Sequence, residues 1–324
     1  MISYDLKSLG TNKISFYLAL EQVLLSDLND DIFFLWDISN SIVAGRNQLI
    51  EAEVNQKYVV KHHIPIYRRP SGGGTIYADQ GCFMYSFLTK EKNRDVIIKT
   101  YLTKLMKAIQ TLGLDVVFSG RNDLLFQGKK FSGTAIQQSP QGSIIHGTFL
   151  YDTNLACLVE ALTVDPTKII SKGIKSVQER VINLKPYLTL TKHELMDYLV
   201  NNMGGEVQKL DQSIINQAHK GEKKFASKEW IYGKNPKHTI RFKKRFAFGG
   251  IEAYVLFKQG IILELTLRGD FFEKQSLEPF IKAFTKLAFT KEAVLEVLQT
   301  HPIDQYIYDA TNDDFIKLMF EEEL

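Results

Sequence analysis

Arg68-Arg69-Pro70-Ser71-Gly72-Gly73-Gly74-Thr75-Ile76-Tyr77 is the stretch around which the rest of the chain can be read. Three successive glycines leave backbone N–H groups unshielded and permit positive φ, so an anion can approach the main chain closely. The two arginines upstream add donors suited to phosphate or carboxylate. No Gly-Lys-Ser/Thr follows, and the next segment reads as strand, which excludes a Walker A loop. The dinucleotide spacing G-x-G-x-x-G is absent as well. A glycine-rich β-turn with solvated arginines is the competing reading, and composition alone does not separate the two.

Around this loop the pattern is mixed. Asn12 to Leu28 reads as an amphipathic helix with Tyr17, Leu20, Leu24 and Leu28 on one face. Short β-rich runs follow at Ile32–Trp36, Ser41–Ala44, Pro65–Arg69, Thr75–Tyr77 and Phe83–Leu88. A helix is expected from Val96 to Leu112, closed by Gly113. Val116–Phe118, Asp123–Phe126, Lys130–Ile136 and Ser143–Tyr151 then suggest an antiparallel meander, with Gln127-Gly128 as a hairpin turn. Asn154–Leu162 has the spacing of a packed helix, and Thr191 with Glu194 forms a capping box opening a helix that stops at Gly204-Gly205. Tyr232 to Arg245 reads as a basic linker, and beyond it lie a hairpin (Glu252–Phe257, Ile261–Leu267) and helices near Leu277–Leu287 and Glu292–Gln299.

Three further segments offer chemistry. In Lys129-Lys130-Phe131-Ser132-Gly133-Thr134-Ala135, strand alternation puts Lys130, Ser132 and Thr134 on one face. Lys130 there is a reasonable clamp for a phosphoryl or acyl oxygen, and Asp123, before Leu124-Leu125, can hold Mg²⁺ through oxygen. The plainer reading makes Lys129 and Lys130 guards of a hairpin edge. His146 lies in a strand-like run, where a lone histidine is usually a satisfied core residue. Ser171 to Val177 is a polar loop that folds over a ligand or merely connects two helices.

The chain has 324 residues, 44% of them hydrophobic, enough for a substantial core and for two domains. Its net charge of +3 hides an asymmetry: residues 1–245 carry 33 basic and 23 acidic side chains, whereas residues 246–324 carry 7 and 14. Two cysteines, Cys82 and Cys157, without a CxxC, exclude a zinc knuckle and a disulfide framework and fit a reducing, cytoplasmic setting. No signal-peptide pattern and no run of ~18 apolar residues is found, so neither export nor a membrane span is expected. Histidine spacing offers no HExxH, and no Gly-x-Ser-x-Gly elbow occurs. Phe242 is the one aromatic interleaved among the linker's basic residues, and the tail is acidic, so nucleic acid is not an expected partner.

Taken in order, these segments resemble the lipoate–protein ligases. The likeness runs through Phe34-Leu35-Trp36, Gly45-Arg46-Asn47, the Arg-x-Ser-Gly-Gly-Gly loop and Gly120-Arg121-Asn122-Asp123. It continues through Lys130 to Ala135, His146-Gly147-Thr148, Lys172 to Val177 and Phe248-Gly249-Gly250. The resemblance implies an α+β fold: a catalytic domain like that of biotin and lipoate ligases over 1–236, with mixed and antiparallel sheets flanked by helices. A small α+β accessory domain would occupy 240–324. It implies an AMP-forming ligase that converts lipoate and MgATP to lipoyl-AMP. The lipoyl group then passes to a lysine of an apo lipoyl-domain acceptor, either the glycine-cleavage H protein or a 2-oxo acid dehydrogenase subunit.

By motif match, Lys130 would be the catalytic group, holding the lipoyl carbonyl and the α-phosphate. Arg69, Gly74, Thr75, Ile76 and Tyr77 would hold ATP; Trp36, Arg69, Ser71, Gly72 and His146 would meet lipoate; Asp123 would help place Mg²⁺. Lys172, Gly173 and Ile174 would belong to the loop covering the adenylate. Ala78-Asp79-Gln80-Gly81-Cys82 stands where members commonly show His-Asp-x-Gly-Asn, and Gln178 replaces an expected arginine. The alternatives are an ATP-independent lipoyl or octanoyl transferase, which needs a reactive cysteine, and a non-catalytic lipoate-binding paralogue.

Overall fold

A strand buried at every position must be covered on both faces, and the run Ile32–Trp36 is buried throughout. Phe33 and Leu35 enter one hydrophobic cluster, while Ile32, Phe34 and Trp36 enter the other. The same alternation divides Cys82–Thr89, with Phe83, Tyr85 and Phe87 against Cys82, Met84 and Leu88. The alternation of strand side chains therefore divides a continuous apolar run between two layers, with the sheet between them.

The computed structural model describes residues 1–120, 122–162, 179–233, 240–258 and 260–321. Its strands are β1 (Ile2–Asp5), β2 (Ile32–Trp36), β3 (Ser41–Ala44), β4 (Ile66–Arg68), β5 (Ile76–Ala78), β6 (Cys82–Thr89) and β7 (Val116–Phe118). After these come β8 (Asp123–Phe126), β9 (Lys129–Ser139), β10 (Gly142–Leu150), β11 (Glu206–Lys209), β12 (Ile240–Phe246), β13 (Gly249–Lys258) and β14 (Ile261–Gly269). An eight-stranded mixed sheet runs β11-β1-β2-β6-β10-β9-β8-β7, beside a small sheet β4-β3-β5 and a third, β12-β13-β14. The β11-β1 and β1-β2 pairs are parallel; the remaining pairs of the large sheet are antiparallel. Gln127 and Gly128 both have positive φ, 52° and 73°, as the tight β8–β9 turn requires. Among the described residues no helix is long and apolar enough to cross a membrane.

Three elements differ from the sequence expectation. The helix Ile14–Ser26 (α1) is buried all round its first two turns instead of on one stripe. The reason is a second layer: the helix Gln212–Ala226 packs on its outer side, and Gly221 lets the two backbones close, a Cβ there falling 3.1 Å from the Ala19 methyl. The basic stretch read as linker to Arg245 is strand from Ile240 onward, antiparallel to β13. Its alternating Arg241, Lys243 and Arg245 solvate an open sheet edge, and such charges protect an edge from aggregation. The helix foreseen at 96–112 starts at Arg94 and carries a π turn at Ile98–Leu102.

Candidate active site

The glycine loop is built by its own arginine. Arg69, fully buried, donates from Nε to Ser71 Oγ (3.0 Å), from Nη1 to the Val43 carbonyl (3.1 Å) and from Nη2 to the carbonyls of Gly72 and Gly74 (both 2.7 Å). Desolvation, together with the neighbouring Arg68 charge, pushes its guanidinium down to about 10. No carboxylate pairs with Arg69 among the described residues. Its charge therefore adds a positive potential beneath the loop, as anionic substrates need. With the carbonyls turned toward Arg69, the N–H groups of Gly74 and Thr75 take no acceptor among the described residues, and both residues line a cavity of about 410 Å³. The loop therefore presents orphan donors to a pocket.

Lys130 reaches the same pocket through a β-bulge. Leu124 pairs with Ser132 but Leu125 pairs with Lys130, leaving Phe131 without a partner in β8. A bulge puts two successive side chains on one side of its strand. Phe131 packs on Phe149 in the core, and the hydroxyls of Ser132 and Thr134 both meet Tyr85 OH there, at 3.0 and 2.8 Å. Lys130 is thereby turned to the opposite face, over Gly133: a Cβ on that glycine would lie 2.6 Å from Lys130 Nζ. This corrects the simple alternation that grouped Lys130 with Ser132 and Thr134; one extra residue reverses its facing. Lys130 Nζ lies 2.8 Å from Asp123 Oδ1, an oxygen that accepts no well-directed hydrogen bond.

Gly74, Thr75, Ile76, Tyr77, Arg69, Asp123, Lys130 and His146 thus all line one cavity. Trp36, Ser71 and Gly72 stand behind it: Trp36 is edge-on to His146 at 5.9 Å, and Gly72 packs beneath the Phe271 carbonyl. Sequence reading missed the apolar lining, Met84, Ala135, Leu150, Leu158 and Leu162, whose pattern is that of ordinary core. It also placed no ligand contact in the acidic tail, whereas Asp270 and Phe272 line the cavity. The tail docks through main chain: Gly73 N donates to Phe271 O (3.3 Å) and Gly269 N to Asn47 O (2.9 Å), while Asn47 Nδ2 reaches Glu273 at 2.8 Å. Lys172, Gly173 and Ile174 lie outside the described residues.

With this geometry in place, comparison with known proteins is informative. The family description "Lipoyl protein ligase A/B catalytic domain" matches residues 13–204, and "Bacterial lipoate protein ligase C-terminus" matches 235–319. The chain belongs to the lipoate–protein ligase family. A probable lipoate-protein ligase A of Mycoplasma pneumoniae is 31% identical over 95% of either chain. The ligase shares its fold with a P. falciparum LipL1 structure in complex with lipoate, at a TM-score of 0.77 and 23% identity, over 98% of this chain and 97% of that one. A lipoate-protein ligase A structure bound with ATP superimposes at 0.59 and 21% identity, covering 68% of this chain and 94% of that one.

The docked tail of the ligase carries a pH signature. Burial, then the charges of Asp270 and Glu252, push the Glu53 carboxyl up to about 7, against the opposing pull of Lys243 and Arg245. The folded state therefore binds this proton more tightly than the unfolded chain does. Its contribution is fully present below the ordinary carboxylate value and is lost as pH rises through about 7. Urea denaturation across that window should show stability falling with pH in the wild type. Glu53→Gln should remove that part of the slope, and an unchanged slope would count against the assignment.

Proposed function

We propose that the ligase runs both half-reactions in this one cavity, with Lys130 as the catalytic group. The observation that carries the reading is the bulge that aims Lys130 at the pocket whose other wall offers the Gly74 and Thr75 N–H groups. Adenylation brings two anions together, so the site must neutralise charge while aligning them. A lipoate carboxylate oxygen attacks the α-phosphorus of ATP, the bond to the bridging oxygen breaks, and pyrophosphate leaves. An uncharged lysine amine of the acceptor then attacks the acyl carbon of lipoyl-AMP. The acyl–oxygen bond breaks, AMP departs, and the amine gives up its proton as the amide forms. In both steps negative charge develops on oxygens within reach of an ammonium placed like Lys130.

The loop around Gly74, Thr75, Ile76 and Tyr77 would cradle phosphate through main-chain donors, with Arg69 holding its shape from beneath. The apolar tail of lipoate would enter past Met84, Ala135 and Leu150 toward His146, with Trp36 behind. Bound Mg²⁺ would supply charge neutralisation on the phosphates. Asp123 fits it in donor type: its Oδ1 is held only by the 2.8 Å ion pair to Lys130, and no group of three or more acidic, histidine or cysteine ligands occurs among the described residues. One carboxylate plus substrate phosphates is how Mg²⁺ is commonly held.

Residues 1–236 would form the catalytic unit and 240–324 the accessory one. The acceptor would be a lipoyl domain, of the H protein or of a 2-oxo acid dehydrogenase subunit, in the cytoplasm. A thioester-forming transferase is disfavoured at Cys82, which is fully buried with its thiol pushed up to about 12 by desolvation and Asp79. The purified protein with lipoate, ATP and Mg²⁺ should raise the mass of an apo lipoyl domain by one lipoyl group. No mass change on a panel of both acceptor types would overturn the assignment.

A further inference from the structure

Behind the cavity wall lies a chain of buried polar groups. Glu21 of α1 is wholly buried, and no lysine or arginine pairs with it among the described residues. Its Oε1 accepts from Ser86 Oγ (2.6 Å) and lies 2.9 Å from His146 Nδ1; Ser86 Oγ in turn accepts from Trp36 Nε1 (2.8 Å). On the far side of the ring, His146 Nε2 lies 2.6 Å from Ser71 Oγ, which already accepts from Arg69 Nε.

Donor counting fixes the direction. Arg69 can only donate; if His146 Nε2 donated as well, Ser71 Oγ would accept twice and strand its own hydrogen, whereas Nε2 as acceptor satisfies it. The ring hydrogen therefore sits on Nδ1 and faces the Glu21 carboxylate, an arrangement in which every buried group is satisfied. We propose that Glu21 is a positioning residue: by holding His146 in the Nδ1–H tautomer it fixes the Ser71 hydroxyl, and through Arg69 the glycine loop. Glu21 lies on a helix remote from the loop in sequence, and Ser71 opens the loop whose amides face the pocket. The contact chain is therefore a direct mechanical link between α1 and the nucleotide side of the site. This inference rests on the ligase reading for its kinetic consequence, but not for the tautomer.

Histidine-selective ¹⁵N NMR of the wild-type protein reads the tautomer directly. A protonated Nδ1 and bare Nε2 are expected at His146; the opposite pattern overturns the proposal whatever the enzyme does. In Glu21→Gln, of nearly equal volume, the amide keeps an acceptor for Ser86 and offers a donor to Nδ1. The ring is then forced to carry hydrogen on Nε2. Ser71 Oγ would face two donors with its own hydrogen stranded. The KM for ATP in lipoate-dependent pyrophosphate release should rise about tenfold, the size of one lost buried hydrogen bond, with kcat within about twofold. Ser86→Ala, which leaves the Glu21–His146 contact in place, should keep the wild-type tautomer and KM. Equal KM effects in both variants would show general core damage and reject the positioning role. A wild-type protein that releases no pyrophosphate would instead reject the ligase reading and leave the tautomer result standing.

Discussion

Lys130→Ala is expected to abolish product formation while leaving the fold intact. Removing a single preorganised donor from a developing oxyanion typically costs about 10² to 10³ in rate, and Lys130 would serve both half-reactions. The loss should therefore appear in single-turnover formation of lipoyl-AMP, and again in transfer from supplied lipoyl-AMP. Stability should barely change. The Lys130–Asp123 pair is 38% and 28% exposed, and pairs of that kind contribute about 0–1 kcal/mol. Asp123→Asn separates the two partners: it should leave Lys130 on the wall and weaken the dependence of adenylation on Mg²⁺ concentration. A Lys130→Ala enzyme within about tenfold of wild type in both assays would remove Lys130 from the catalytic role.

How much of this was legible beforehand depends on the length scale of each signal. Strand positions such as Ile32–Trp36 and Ser41–Ala44 followed from local apolar runs, and the Gln127-Gly128 turn from residues that tolerate positive φ. The glycine loop was visible because its chemistry is consecutive in sequence. The facing of Lys130 was not, since it depends on which residue of β9 is left unpaired against β8, a property of two strands together. The burial of α1 on all sides likewise required a helix some two hundred positions away. Glu21 carried no local mark at all: a single acid among Leu18, Ala19, Leu20 and Leu24 reads as a helix surface until the layer that covers it is placed.

The charge asymmetry acquires a structural meaning from the same geometry. The basic part of the chain buries Arg69 under the loop, with Arg68 beside it turned to the Gly45, Arg46 and Gln48 carbonyls, and the desolvated Arg69 charge faces the pocket. The acidic tail meets this region through Glu273, which accepts from Asn47 and lies 3.3 Å from Arg46. Its Phe271 carbonyl takes the Gly73 N–H, a donor of the same loop that offers Gly74 and Thr75 to the cavity. Docking of the tail and display of the loop therefore share one short piece of backbone.

That shared backbone makes Gly45→Ala the second large effect. Gly45 follows β3, and its own φ is not in the left-handed region, so conformation alone does not demand glycine. Space does. A Cβ at position 45 would overlap the Gly73 carbonyl oxygen and lie 3.0 Å from its carbon and 3.2 Å from Arg69 Nη2. Neither neighbour can yield cheaply: Gly73 is tied to Phe271, and Arg69 is buried with its guanidinium hydrogen-bonded to four groups. The loop must shift by an ångström or so, and displacement on that scale costs about 10²-fold in a well-aligned site. We expect kcat/KM for ATP to fall by about that factor, with a lower Tm because the Arg69 bonds and the tail contact are strained together. The acyl pocket proposed above, on β6, β9 and β10, is untouched by the substitution. Lipoate binding by calorimetry should accordingly stay within about threefold of wild type while ATP binding is lost. Equal loss of both ligands would mean that Gly45 supports the fold at large instead of the loop.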